Sequence, residues 1–172
     1  MIGDEKIIGP TAAGIKMAIH PITGFPYLAY QRTGKDENDV SIPADDRKVA
    51  VLRYTENGWE NLGNKLGISD SRADNQTISF DQAGTPYVSF KEYATSKATL
   101  LRYANSGWEV VGSKSFTPLK ARAQSFIINS DNEPVVAAFA TASSAPFADR
   151  QLYITSFSSN QWNNNSPASN IA

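Results

Sequence analysis

Short runs of alternating apolar and polar residues recur along the chain and predict β-strands. The clearest runs follow one another and are Gln76–Phe80, Pro86–Phe90, Thr99–Tyr103 and Trp108–Val111. Pro86 stands at the first position of its run, where the missing N–H of proline is tolerated. Asn105, Ser106 and Gly107 separate the last two runs and accept the backbone angles of a tight turn. These runs predict one four-stranded antiparallel unit that ends at Gly112.

The same unit is repeated along the sequence. Leu-Arg-Tyr, then Gly-Trp-Glu, then a closing glycine occur in Leu52–Gly63 and again in Leu101–Gly112. A weaker third copy, Leu152–Trp162, lacks the closing glycine. Repetition at about 40 to 50 residues is typical of propellers and other repeat architectures.

An apolar run that follows a proline precedes each copy. The three prolines are Pro26, Pro86 and Pro134, and the distance from proline to tryptophan is 33, 22 and 28 residues. The middle unit is therefore the shortest, and four strands in about 45 residues match the size of a propeller blade. No stretch shows the sustained period of an amphipathic helix with caps.

These patterns predict a single all-β domain over residues 1–172. Its predicted parts are blade 1 (10–63, with an acidic insertion at 31–48), blade 2 (64–112), blade 3 (113–165) and a C-terminal tail (166–172). Closed propellers usually have about 4 to 8 blades, so three blades are too few for an ordinary ring. Lys6–Gly9 is a further short segment that could pair with the end of a neighbouring blade.

Three explanations of the blade count remain open. The chain is a piece of a longer protein, or copies associate through their open ends, or the blades form an open stack with unusual caps. Exposed end blades would leave apolar sheet faces in water, and such faces are normally covered. We therefore expect the purified chain to be at least a dimer.

Two segments carry a resemblance to a known family. Asp81–Phe90 and Gly107–Gly112 resemble the degenerate repeats of bacterial β-propellers, and the resemblance extends over residues 14–162. It implies about three four-stranded antiparallel propeller-type blades, with the ring completed by oligomerisation or by a larger propeller. Ser79–Tyr87 is similar to the aspartate box of sialidase-type propellers, with one extra residue between Asp81 and the glycine. That motif is a structural turn, and it does not specify an activity.

Composition excludes several kinds of chemistry. The 172 residues include 16 Lys plus Arg and 17 Asp plus Glu, a net charge of -1, without the basic patch that nucleic-acid binding requires. The absence of cysteine excludes disulfides, thiolate metal sites and cysteine nucleophiles. A single histidine, His20, excludes a multi-histidine zinc site.

The chain shows no targeting signal by sequence. No stretch reaches the roughly 18 to 20 apolar residues that cross a bilayer, and Met1–Pro10 lacks a signal-peptide pattern. We expect a soluble chain, and its compartment stays open because a cysteine-free protein suits both reducing and oxidising conditions.

Arg53 and Arg102 occupy equivalent positions in two units. Arginine grips carboxylates bidentately in sialidase-like propellers, which is the functional interpretation of this pair. The simpler interpretation is that each stem covers apolar surface. Arg150 is out of register with both, and we favour the simpler interpretation.

The acidic insertion contains oxygen ligands of the kind that calcium prefers. Its acidic and amide residues are Asp36, Glu37, Asn38, Asp39, Asp45 and Asp46. Their spacing matches no calcium loop, and Arg32, Lys35, Arg47 and Lys48 flank them. We predict a solvated loop between the second and third strands of blade 1.

Aromatic side chains and His20 are the remaining candidates. His20 takes the turn position that Asp81 takes in the second unit, and we predict a turn residue rather than a base. Trp59, Trp108 and Trp162 recur at one repeat position, which favours packing between blades over stacking on a sugar.

The sequence therefore predicts a non-enzymatic binding or assembly module, with no catalytic, cofactor or metal residues assigned and the ligand unspecified. The alternatives are a glycosidase-, sialidase- or lyase-like propeller enzyme and a lectin-like carbohydrate-binding propeller. Expected partners are a second copy or the rest of a larger propeller, with a carbohydrate or protein ligand as a further option. Nucleic acid and a membrane span are not expected.

Overall fold

The computed structural model describes residues 12–36, 38–64, 66–141 and 151–165. These residues form twelve strands in three sheets. The first sheet contains β1 (Ala12–Ile19), β2 (Pro26–Arg32), β3 (Val49–Thr55) and β4 (Gly58–Asn61). The second contains β5 (Ala73–Phe80), β6 (Pro86–Glu92), β7 (Ala98–Ala104) and β8 (Gly107–Val110). The third contains β9 (Lys120–Ile128), β10 (Pro134–Thr141), β11 (Gln151–Ser158) and β12 (Gln161–Asn165).

Every sheet is antiparallel, and its four strands are neighbours in chain order. The first strands of the sheets lie side by side, with β5 in contact with both β1 and β9. This confirms the prediction of three four-stranded antiparallel blades. In the described part of the chain the sheets form an open stack and not a closed ring.

Strand β5 begins three residues before the run that the sequence predicts. The reason is a bulge, because the β5–β6 register shifts between Asp74 and Thr77 and Asn75 has a φ of 53°. A bulge interrupts the period-2 alternation by one residue, so the first part of the strand has no visible pattern in the sequence.

The hydrophobic core lies between the sheets. On one side of the middle sheet, Val88 and Phe90 pack with residues of the first sheet such as Val51. On its other side, Leu100 packs with Val136 of the third sheet. Because both of its faces are covered, all residues from the proline at the start of β6 to Phe90 are buried.

Helical structure in the described residues is a single 3-10 turn, Ala44–Asp46, in the acidic insertion. None of the helices described there has the length and hydrophobicity to cross a membrane. The predicted segments at residues 6–9 and 166–172 lie outside the described residues.

Candidate functional site

A tryptophan–glycine contact joins consecutive sheets. Trp108 on β8 donates its indole N–H to the backbone carbonyl of Leu62, at 2.9 Å. Gly63 follows that carbonyl with a φ of 88°, and a Cβ there would lie 2.7 Å from the Trp108 ring. Such a distance is a steric clash, so only glycine lets the ring approach the end of the preceding sheet this closely.

The contact recurs between the second and third sheets. Trp162 donates to the carbonyl of Val111 at 3.1 Å, and a Cβ on Gly112 would lie 2.8 Å from its Nε1. The ring of Trp162 also stacks on Phe116, with 3.6 Å between the ring centroids. Packing between blades is thus confirmed for Trp108 and Trp162.

Trp59 has the same place in the first sheet but a different environment. Its indole Nε1 is buried and finds no acceptor among the described residues. The ring packs with Tyr30, Ala50 and Leu52 on the side of the first sheet that faces away from the second. A buried N–H without an acceptor costs roughly 1 to 3 kcal/mol.

The second sheet has an equivalent side, and that side packs against the first sheet. We call the side of the first sheet that carries Trp59 the leading face, and it is formed by Ile15, Met17, Ile19, Tyr30, Leu52 and Trp59. In the second sheet, the equivalents of Met17 and Ile19 are Ile78 and Phe80, which pack against the first sheet. In the first sheet, Ile15, Met17 and Ile19 are 52%, 65% and 53% exposed.

Ile15 stands at a position where the other two sheets have a glutamine that contacts the preceding sheet. Gln76 on β5 is buried and donates from Nε2 to the carbonyls of Ala13 and Gly14 on β1. Gln124 on β9 donates in the same way to the carbonyl of Asn75, at 3.4 Å. Sequence reasoning missed this contact, although alignment of the first strands places Ile15 at the glutamine position. Ile15 cannot donate a hydrogen bond, so the leading face is apolar there.

The third sheet carries a second exposed apolar surface. We call it the trailing face, and it is formed by Ile127, Val135, Ala137 and Ile154, which are cross-strand neighbours on one side of the sheet. Ile127 and Ile154 are 60% and 40% exposed. The opposite side of the sheet carries Val136, which is buried against the middle sheet.

His20 is a turn residue, as the sequence predicts. Its Nδ1 accepts two backbone N–H groups of its own turn, each at 3.2 Å. Asp81 and Asn129 accept backbone N–H groups through Oδ1 in the equivalent turns, at 2.7 to 3.0 Å. The His20 ring also packs beside Phe80 and Gly84 of the second sheet. The segment that resembles an aspartate box therefore forms a structural turn.

The two equivalent arginines do not converge on a common site. Arg53 pairs with Glu60 on the neighbouring strand at 2.6 Å, and Arg102 pairs with Glu109 at 3.4 Å. Each arginine thus has its carboxylate partner within its own sheet. Arg150 lies outside the described residues.

The acidic insertion lies between β2 and β3, but its predicted bounds, 31–48, take in the last two residues of β2. Asp36 accepts the backbone N–H groups of Asn38 and Val40, and Asp39 pairs with Lys35 at 2.8 Å. Glu37 lies outside the described residues. Among the residues that the structure does describe, no three acidic or histidine side chains come together in a way that could hold a metal ion.

Small clefts are also found among the described residues. One of about 240 Å³ lies under the insertion and is bordered by Arg32, Asp46 and Lys48. Another of about 140 Å³ contains Glu92 and the ion pair of Lys114 with Asp70. Both are below the roughly 300 to 1,000 Å³ of common small-molecule sites.

Electrostatics in the smaller cleft raise the pKa of Glu92. Burial raises the pKa of Glu92 above its ordinary value, and the carboxylate of Asp70 raises it further. A hydrogen bond with Thr99 and the charge of Lys114 oppose this increase. The cleft is thus a partly desolvated charge cluster between residues 68–70 and the second sheet.

Comparison with known proteins adds the following. No protein-family model matches the sequence, and no curated protein matches it. Among solved structures, a fucose lectin from Kordia zhangzhouensis in complex with methyl-fucoside aligns with 10% identity and a TM-score of 0.49, covering 89% of this chain and 98% of the lectin. A thermostable family-43 glycoside hydrolase aligns with 13% identity and a TM-score of 0.49, covering 96% of this chain. The chain spans 58% of the hydrolase's length. Similarities this low assign neither ligand nor activity.

Proposed function

We propose that the chain is a non-enzymatic assembly module that binds a further blade through each of its end sheets. The observation that carries the proposal is the exposure of Ile15, Met17 and Ile19 on the leading face. Ile78 and Phe80, the counterparts of Met17 and Ile19 in the middle sheet, pack against the first sheet.

The energetic reason is the cost of apolar surface in water. Full burial of one large aliphatic side chain contributes about 1.5 to 3 kcal/mol, and each of these three side chains still has about half of that to gain. Covering them therefore favours association by roughly 3 kcal/mol before the trailing face is counted. That gain opposes the entropic cost of association.

The partner that fits is a second copy of the chain. Within the chain, the first sheet packs its trailing side against the leading side of the second sheet. The second sheet packs in the same way against the third. Two copies joined head to tail would repeat this packing and would give six sheets, a number within the range of closed propellers. The alternative partner, the rest of a larger propeller, would cover the same two faces.

The test is the mass of the purified chain by light scattering at micromolar concentration. We expect the mass of two chains, and Met17→Glu should reduce it to one because a charge would be buried in the interface. Ile22→Glu is the matched control, since Ile22 is 69% exposed and lies outside both faces. A wild-type mass of one chain would overturn self-association.

The lectin-like and glycosidase-like alternatives have no comparable observation among the described residues. They stay predictions, to be tested by glycan binding and by hydrolysis of model glycosides.

A further inference from the structure

The leading face lacks a polar group that the packing between sheets within the chain contains. We call the packing of one sheet on the next a joint. In each internal joint a glutamine, Gln76 or Gln124, donates to a backbone carbonyl of the preceding sheet. The leading face has Ile15 at this position, and Ile15 is 52% exposed. The first sheet therefore presents aliphatic surface where an internal joint has an amide.

The trailing face differs from the internal joints in the same direction. Tyr27, Tyr87 and Val135 occupy equivalent positions, each one residue after the proline that begins its strand. Tyr27 and Tyr87 are buried in the internal joints, and each has an arginine as its cross-strand neighbour. The third sheet has a valine there, which has no hydroxyl group. Both end faces are thus more apolar than the faces that pack within the chain.

The side-chain sizes on the trailing face are still those of a packed surface. The cross-strand partner of Val135 is Ile127, whereas the partner of Tyr27 in the first sheet is the small Ala18. One large and one small residue are replaced by two of intermediate size. Packed cores tolerate such volume-conserving changes best. The trailing face therefore keeps the bulk that a joint needs.

The joint between the first and second sheets supplies the template for a joint between copies. There Phe80 packs edge-on against Tyr27, with 5.0 Å between the ring centroids. Ile19 is the equivalent of Phe80, because each is paired with the proline of the following strand. Val135 is the equivalent of Tyr27. The same packing between two copies therefore brings Ile19 of one against Val135 of the other.

We propose that the leading face of one copy recognises the trailing face of a second copy through an apolar joint, with Ile19 against Val135. Met17 then lies beside Ile127. The inference rests on the proposed function and adds which faces pair and in what register. The contact uses the β1 side of the leading face, where Met17 and Ile19 are 65% and 53% exposed. Because these side chains are aliphatic on both sides, none of them brings an unpaired polar group into the joint.

The experiment is cross-linking of single-cysteine variants of the full chain, which has no cysteine of its own. Ile19→Cys labels the leading face, and Val135→Cys labels the trailing face. Stacked sheets lie about 10 Å apart, a distance that a short bismaleimide spans. We expect a linked two-chain product when the two variants are mixed and allowed to exchange chains, and none when either variant is treated alone.

Val40→Cys is the matched control for Ile19→Cys. Val40 is 59% exposed, close to the 53% of Ile19, but it lies in the acidic insertion at the other end of the first sheet. Mixed with Val135→Cys, it should give no linked product. Equal yields from Val40→Cys and Ile19→Cys would overturn the proposal. A product from Ile19→Cys alone would also overturn it, because two leading faces would then be paired.

Ile127→Ser measures the strength of the joint, because serine is the residue that the second sheet has at this position. It should raise the dissociation constant of the dimer by roughly tenfold or more, since buried aliphatic surface is lost. Ile22→Ser changes an isoleucine that is 69% exposed outside both faces, and it should leave the constant unchanged. Equal effects of the two variants would contradict the proposed register.

Light scattering on the same samples separates this inference from the proposed function. A two-chain mass without the mixed cross-linked product overturns the pairing of leading with trailing face and leaves assembly through the end sheets standing. A one-chain mass of the wild type at micromolar concentration refutes self-association, and this inference with it.

Discussion

Replacing Gly63 by alanine should break the contact between the first and second sheets. The residue has a φ of 88°, and an added Cβ would lie 2.7 Å from Cδ1 and 2.8 Å from Nε1 of Trp108. Neither the backbone nor the ring can remain in place, because the indole is held by its hydrogen bond to the Leu62 carbonyl. We therefore expect a loss of stability well above that of an ordinary surface substitution.

The magnitude follows from four contributions. Left-handed backbone costs a residue with a Cβ about 1 to 2 kcal/mol, and reduced freedom of the unfolded chain returns roughly 0.4 to 1 kcal/mol. Loss of the indole hydrogen bond adds about 0.5 to 1.5 kcal/mol. Displacement of the ring from Tyr103 adds about 0.5 to 1.5 kcal/mol, since their centroids are 5.4 Å apart in an edge-to-face arrangement. Gly63→Ala should thus lower the free energy of unfolding by roughly 2 to 3 kcal/mol.

The assay is equilibrium unfolding in urea followed by circular dichroism. Gly24→Ala is the matched control, because Gly24 has a φ of 72° and no atom within 4 Å of an added Cβ. It should cost about 1 kcal/mol or less. Equal losses in the two variants would refute the steric argument, since only the backbone angle is common to both.

A double-mutant cycle sharpens the same test. Trp108→Phe removes the indole N–H and shortens the ring, so Gly63→Ala should cost less in the Trp108→Phe variant than in the wild type. Residues in contact usually show coupling of about 0.5 to 3 kcal/mol. A coupling near zero would show that Gly63 acts through the backbone alone.

Three further outcomes are expected. Because burial raises the pKa of Glu92, the stability that its protonated form contributes is present below the ordinary carboxyl pKa and is lost as pH rises through the raised value. Glu92→Gln should therefore raise the free energy of unfolding at pH 7 relative to wild type and lose this advantage near about pH 4. Urea unfolding at both pH values measures the difference. An advantage that grows on acidification would contradict the upward direction of the pKa shift. Arg53→Gln should change stability by less than about 1 kcal/mol, because the side chains of its ion pair with Glu60 are 39% and 48% exposed, and a larger loss would indicate a binding or structural role. Addition of calcium should leave the melting temperature unchanged, since Asp36 already accepts two N–H groups of its own turn, and a rise would restore the metal-site interpretation.

Local patterns in the sequence were sufficient for the strands and their order. Alternation, turn residues and the recurrence of Gly-Trp predict the three sheets, because a strand's two-residue period and a tight turn depend on near neighbours. They also indicate the turn role of His20, since its position matches Asp81 in the next unit. The bulge at Asn75 escaped this reasoning because one extra residue breaks the period without a sequence signature.

Which sheet faces are covered was decided only by the tertiary structure. Ile78 and Met17 occupy equivalent positions in equivalent strands, yet Ile78 is 8% exposed and Met17 is 65% exposed. Trp108 and Trp59 differ in the same way, since only Trp108 has a described carbonyl within reach. The physical reason is that burial of a strand's side chain depends on a sheet formed by a distant part of the chain. The repeated sequence determines the four-stranded fold of each blade. Contact with a neighbouring sheet determines which of its apolar side chains stay exposed.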